Sequence, residues 1–172
     1  LSNVYDTQGD EFKADSKPGL AAGFFFTAPL TKYFGVQPEI MYSQKGYKGS
    51  GSTLGNNYSY TSTTNYIDVP ILLTIHAANN FTLLVGPQYS FLLSRNQTYK
   101  SGVVDITQEE TFNNENLRKN TLCFTGGFDI NLNYIVLSAR AGWDVLSNKG
   151  DGTSSTPRYK NMWYQATVGF RL

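Results

Sequence analysis

The sequence predicts an all-β fold: an eight-stranded antiparallel up-and-down β-barrel forming one domain over residues 1–172, its first strand largely missing from this chain. Three observations predict it. Apolar residues recur at every second position along most of the chain, which is the period of a strand. Tight connections alternate with long polar ones. The charges that fall inside the strands all share one face.

The elements follow in order. Residues 1–5 are too short to cross a membrane, since a spanning strand needs about 9–11 residues. They are read as the upper end of a first strand whose remainder lies upstream. The chain opens on LSNVYDTQ, which is not a signal peptide, and is read as a processed or truncated product. A polar stretch, 6–18, leads into strands at 19–30, 33–47, 60–77, 81–94, 120–132, 134–146 and 161–172. The turns at Thr31–Lys32, Ala78–Asn80 and Asn133 are tight. KGSGSTLGNNYS, the stretch Arg95–Lys119 and SNKGDGTSSTPRYK are long and polar. Short turns at one end and long loops at the other are the habit of barrels that sit in a membrane. Within Arg95–Lys119, TYKSGVVDITQEETF alternates well enough to extend the flanking strands as a hairpin. The charge-free run 69–94 is long enough for a membrane helix, but Pro70, Pro87, Gly86 and a period of two exclude one.

Composition agrees. Charged residues are 16% of the chain, against about 25% in an average soluble domain. Aromatics are 15%, with 16 glycines, and the net charge of +1 implies no nucleic-acid partner. Cys123 is alone and is read as a small buried residue.

Parity separates two faces. In 33–47, Phe34, Val36, Pro38, Ile40 and Tyr42 oppose Gly35, Gln37, Glu39, Met41, Ser43 and Lys45. In 120–132, Leu122, Phe124, Phe128, Ile130 and Leu132 oppose Cys123, Thr125, Gly127, Asp129 and Asn131. Seven charges fall within strands, Glu39, Lys45, Asp68, Asp129, Arg140, Asp144 and Arg171, and all lie on the polar face. That face is otherwise small, with Gly23, Gly35, Gly86, Gly127, Gly142 and Gly169 on it. A water-facing surface carries several Lys or Glu per strand. A narrow lumen wants small residues and a few paired charges. The polar face is therefore read as a lumen and the apolar face as lipid-facing. The opposite reading is a lipocalin-like barrel that holds a small apolar ligand inside.

An arginine inside an apolar strand needs a partner. Glu39, Asp68, Asp129, Arg140, Asp144 and Arg171 are read as one lumen charge network. Counted from the tight turns, Glu39 and Arg140 lie at similar heights and Asp68 slightly higher. Arg140 is expected to be held by Glu39, Asp68 or both, with Gln37, Gln88 and Gln165 completing the hydrogen bonds. Asp144 lies about 13 Å along the strand from Arg140, too far for a close pair. Two interfacial girdles of aromatics are expected: Tyr33, Phe34, Phe81 and Tyr134 at the turn end, and Tyr47, Tyr60, Tyr89, Phe91 and Trp143 toward the loops.

FGVQPEIMYSQKG (34–46), YIDVPILLTI (66–75), VGPQYSFLLS (85–94), GGFDI (126–130), LSARAGWDVL (137–146) and VGFRL (168–172) resemble the PorT-type outer-membrane β-barrel family, an outer membrane protein beta-barrel domain. The resemblance covers nearly all of the chain from Gly19 onward. It implies a Gram-negative cell outer membrane, a glycine-rich strand before LSN, and a tie to protein secretion in the founding relative. Such barrels usually close on a terminal aromatic, whereas here Leu172 is last and Phe170 stands two before it.

No catalytic, cofactor-binding or metal site is assigned, and the chain is not expected to be an enzyme. His76 is the only histidine, and Ser90, Ser94 and Asp68 are companions that no spacing singles out. KGSGSTLG lacks the ending of a phosphate-binding loop. The expected role is a structural or docking component of an envelope complex with a plugged polar lumen. Its partners are outer-membrane lipid and an envelope protein engaged through the loops Arg95–Lys119 and Ser147–Lys160. The alternatives are a barrel binding a small apolar ligand and a lipid-active enzyme.

Overall fold

The computed structural model describes residues 1–6, 15–53, 56–101, 104–110, 120–146 and 159–171. Its strands are β1 (Ser2–Asp6), β2 (Asp15–Ser16), β3 (Ala21–Phe25), β4 (Ala28–Pro29), β5 (Phe34–Thr53), β6 (Asn56–Ala78), β7 (Phe81–Ser101), β8 (Val104–Glu110), β9 (Asn120–Leu132), β10 (Ile135–Asp144) and β11 (Tyr159–Phe170). All belong to one sheet, and every pairing is antiparallel.

The path of neighbours is β1-β11-β10-β9-β7-β6-β5-β2. This corrects the expected count: there are eleven strand segments among the described residues, not eight strands, and the sheet is not closed. Two causes are visible. β2, β3 and β4 lie end to end along β5, through the pairs Asp15↔Lys48, Ala21↔Ser43 and Ala28↔Val36. Pro18 and Gly19 interrupt the first join, and a proline has no N–H to give a ladder. β8 is a separate hairpin arm on β7, Arg95↔Glu110 through Ser101↔Val104, as the alternation in that stretch predicts. The remaining gap is a seam. Ser2↔Lys17 bridges it at one level, while β3 and β11 have no ladder between them.

The loop KGSGSTLGNNYS is also corrected. β5 runs to Thr53 and β6 starts at Asn56, so most of that stretch is paired strand. β5, β6 and β7 hold 20, 23 and 21 residues, about twice what a membrane crossing requires. Their ladders continue beyond the apolar band on the side away from the tight turns. The run 69–94 forms the β6–β7 hairpin.

Burial reverses the habit of a soluble barrel. Gln37, Glu39, Ser43 and Lys45 are buried, and so are Thr74, Thr125 and Asp129. Ile40, Ile71, Leu73, Phe124, Ile130, Val168 and Phe170 are exposed. The polar face therefore lines the interior and the apolar face looks outward. In water this outer surface would be a large aggregation-prone patch. In hydrocarbon it is the favourable arrangement.

Candidate functional site

The interior is organised in tiers of charge. Seven charged residues are buried among those described: Glu39, Asp68, Asp129 and Asp144 against Lys45, Arg95 and Arg140.

The lowest tier is centred on Arg140. Its Nη1 donates to Glu39 Oε2, and its Nη2 lies 3.8 Å from Asp129 Oδ1. Gln37 Nε2 donates to the other Glu39 oxygen at 2.8 Å, and Thr27 Oγ1 donates to Gln37 Oε1 at 2.8 Å. Ser138 Oγ donates to Asp129 at 2.6 Å. Sheet register explains the meeting: Ser138 is directly opposite Asp129, and Arg140 follows two residues later on the same face. One arginine thus sits between two carboxylates in a low-dielectric interior, where such a charge needs compensation.

The middle tier is centred on Lys45 and Asp68, with Nζ 3.1 Å from the carboxylate. Ser43 Oγ donates to Asp68 Oδ2 at 2.6 Å, and Lys45 Nζ also reaches Ser90 Oγ at 3.3 Å. The ammonium lies 4.9 Å from the Tyr66 ring centre and 5.5 Å from that of Trp163, within cation–π range. Beside it, Cys123 Sγ donates to Asp144 Oδ1 at 3.0 Å, and Asn161 Nδ2 donates to Asp144 Oδ2 at 2.6 Å.

The top tier holds Arg95. Its Nε reaches Ser62 Oγ at 3.4 Å. With the Gln97 amide turned to suit its neighbours, its oxygen accepts from Arg95 Nη2 at 2.8 Å and its nitrogen donates to Tyr60 Oη at 2.9 Å.

The expected network is thus partly corrected. Arg140 is held by Glu39 and Asp129, and Asp68 belongs to Lys45. Asp144 binds Cys123 and Asn161, and Arg171 is exposed beyond the end of β11, outside the tiers. Gln88 donates to Ser90, while Gln165 lies against Met41 Sδ at 3.9 Å. Arg95 is missing from the sequence reading, which ended its strand at Ser94. The cause is a bulge: Asn65 pairs with Ser94 but Tyr66 pairs with Leu92, so β7 carries one extra residue. One extra residue reverses the inside–outside alternation and turns Arg95 inward.

The girdles are also partly corrected. Tyr33, Phe34, Tyr89, Phe91, Tyr134 and Trp143 are exposed, and Phe81 is half-buried. Tyr47 is buried and Tyr60 half-buried, their ring centres 5.9 Å apart. Both share the parity of the polar face, Tyr47 with Lys45 and Tyr60 with Ser62, so alternation alone assigns them to the interior.

His76 Nδ1 lies 3.1 Å from Thr82 Oγ1 at the turn end. Asp68 is eight residues away on the same strand, about 26 Å at strand rise, so the two do not meet. Among the described residues no group of His, Cys, Asp and Glu is arranged to hold a metal ion.

An outward apolar band around a charged interior is the arrangement of a membrane barrel, and a family comparison agrees with it. The model of the outer membrane protein beta-barrel domain matches residues 2–144. The chain belongs to that family. This outer-membrane barrel therefore resides in the outer membrane, and its exposed rows of Ile, Leu, Val and Phe face lipid. No curated protein matches the chain. Among solved structures it is similar to Ail, the attachment invasion locus protein of Yersinia pestis, in complex with the heparin analogue sucrose octasulfate. The identity is 14%, the TM-score 0.49, and the match covers 99% of this chain and 92% of that one.

Proposed function

We propose that this barrel is a PorT-type, non-enzymatic component of a Gram-negative envelope complex, structural or docking in role, with a plugged lumen. The observation that carries the reading is the tiered interior. Salt bridges centred on Arg140 and Lys45, with Trp163, Tyr66 and Tyr47 buried beside them, occupy the space that a solute channel needs to keep open. The polar lining disfavours an apolar ligand inside. The separation of His76 from Asp68 disfavours a hydrolytic triad. Contact with a protein partner falls to the loop-side projections, of which the β7–β8 arm is the described part. Of the expected Ser147–Lys160 docking loop, all but the last two residues lie outside the described residues. The secretion link implied by the PorT resemblance would be exercised through these projections.

The test is single-channel recording of detergent-extracted protein in a planar bilayer, paired with capture of envelope proteins on the folded barrel. A closed baseline is expected. A large steady conductance would overturn the plug and move the function to solute diffusion.

A further inference from the structure

The outward face of β5, β6 and β7 changes character within one row. Tyr42, Ile67 and Phe91 stand side by side at the top of the apolar band. The next outward row is Gln44, Asn65 and Ser94. Tyr42 Oη donates to Asn65 Oδ1 at 3.0 Å, and Asn65 Nδ2 donates to Ser94 Oγ at 2.9 Å, so hydrogen bonds tie the boundary together. Two rows higher, Lys48, Thr61 and Thr98 are paired in register. From this boundary up to Ser50, Ser59 and Lys100, every outward position on the three strands is Gln, Asn, Ser, Thr, Gly or Lys.

The height of this polar wall identifies what covers it. From Gln44 to Ser50 the strand rises about 20 Å, or about 15 Å along the membrane normal at the usual barrel tilt. A phospholipid headgroup layer is only about 5–8 Å thick. The wall is therefore about twice as tall as phospholipid headgroups reach. A face turned only to water carries several Lys or Glu per strand. Here the three strands carry no Asp or Glu on this stretch, and their short hydroxyl and amide side chains leave a flat surface that a sugar ring can approach closely.

The wall also has a cationic margin. Lys48 is exposed, and the chain of Lys17 runs past Gly46, its Cδ 3.3 Å from where a Cβ on that glycine would stand. Neither lysine makes an ion pair among the described residues, although Asp15 lies opposite Lys48 in register. Burial, and then the neighbouring Lys48, push the Lys17 ammonium below its ordinary range. Two cations crowded together without an acid form a seat for an anion. Lys100, at the other margin, is opposite Asp105 of β8, so the anion seat lies on the β5 side.

We infer that this wall, centred on Lys48 and Thr61, seats the headgroup of a glycolipid of the outer leaflet, a phosphorylated saccharide whose acyl chains lie against the apolar rows of the same strands. Lys48 and Lys17 meet the phosphate, and the Ser, Thr and Asn rows meet the sugar hydroxyls. The site is continuous with the lipid-facing band and rests on it. It is independent of any docking partner.

The experiment places the barrel in nanodiscs of phosphatidylcholine containing equal small amounts of phosphatidylglycerol and of diphosphorylated lipid A with its core sugars. After a brief detergent wash, mass spectrometry counts each lipid retained per barrel. The glycolipid is expected to be retained at least fivefold over phosphatidylglycerol. Lys48→Glu should cut its retention at least threefold, with the heat-dependent gel shift preserved. Lys32→Glu makes the same charge change at the exposed turn end and should leave retention unaltered. Equal retention of the two anionic lipids overturns the saccharide seat. A glycolipid preference that survives Lys48→Glu, or that falls equally in Lys32→Glu, overturns its location. Retention of the dephosphorylated glycolipid as strong as that of the diphosphorylated one overturns the anion seat. A folded barrel that keeps no lipid of any kind would sink the lipid-facing band itself, a failure distinct from the loss of preference.

Discussion

Arg140 reaches across the lumen to the carboxylate of Glu39, a residue 101 positions earlier in the chain. The pair ties β10 to β5 through the interior, with strands β9, β7 and β6 lying between them along the sheet. It fixes the curvature of the sheet from inside. Both residues are buried, and Asp129 shares the arginine.

Replacing Arg140 by Ala strands two buried carboxylates. The expected loss is about 3–5 kcal/mol, the range found when one partner of a buried ion pair is removed. Lys48→Ala, at an exposed site, is expected to cost about 0.5 kcal/mol or less. The comparison is read as the shift in thermal unfolding midpoint in detergent. The double variant Arg140→Ala with Glu39→Gln should be less damaged than the sum of the singles, because the second change removes a charge that the first left unpaired. Simple additivity would disprove the pairing.

Much of this site was legible in the sequence, and what was not has a single kind of cause. Parity placed Glu39, Asp68, Asp129, Arg140 and Asp144 on one face without any structure, because a period of two survives wherever a strand is regular. It failed for Arg95 because the bulge at Leu92–Leu93 shifts the phase by one residue, and no composition marks that bulge. It failed for the partner of Asp68 for a different reason. Height along a strand was counted from turns, which ignores the stagger between neighbours that register alone reveals. The strand count failed in 19–30, where one predicted strand breaks at Phe26 and Thr27 into β3 and β4, and at β2, which lies in the polar stretch before Gly19.

The bulge itself is testable. Deleting Leu93 restores unbroken pairing between β6 and the upper part of β7 and keeps Ser94 opposite Asn65 and Arg95 opposite Thr64, so Arg95 still faces the lumen. Its contacts with Ser62 and Gln97 are then kept, whereas Arg95→Ala removes them. Arg95→Ala is expected to cost about 1–3 kcal/mol, seen as a lower temperature for the heat-dependent shift in gel mobility, and the deletion less. An unchanged transition in Arg95→Ala would show that Arg95 contributes nothing from inside.

Gly142 faces Trp163 so closely that a Cβ there would lie 2.3 Å from ring atom Cζ2. The ring is buried and is backed by the Lys45 ammonium, so it has little room to yield. Gly142→Ala should destabilise the barrel by about 1–3 kcal/mol through overpacking, and should change the Trp163 emission. Loss of stability with an unaltered Trp163 spectrum would locate the strain elsewhere.

Cys123 is fully buried, and its thiol is engaged with Asp144. A maleimide added to the folded protein in detergent should label it at less than a tenth of the rate seen after unfolding. Fast labelling of the folded form would show that the interior beside Lys45 is open to solutes, contrary to a plugged lumen.

The two tryptophans test which way the sheet faces, and they do so within one molecule. Trp143 and Trp163 sit on adjacent strands, one pair apart in register, with opposite exposure: Trp143 is 42% exposed and Trp163 is 5% exposed. If the apolar face meets lipid, Trp143 lies at the bilayer interface, where amphipathic rings gather. Trp163 is then shielded behind the β-sheet, over the Lys45 ammonium. Single-tryptophan forms are made by Trp143→Phe and Trp163→Phe and are reconstituted into vesicles of brominated phosphatidylcholine, whose chains quench indole on contact. The form retaining Trp143 should lose most of its emission, and the form retaining Trp163 little. Equal quenching would mean that lipid reaches both faces. Stronger quenching of Trp163 would turn the sheet inside out, placing the charged tiers against hydrocarbon, where each unpaired charge costs several kcal/mol.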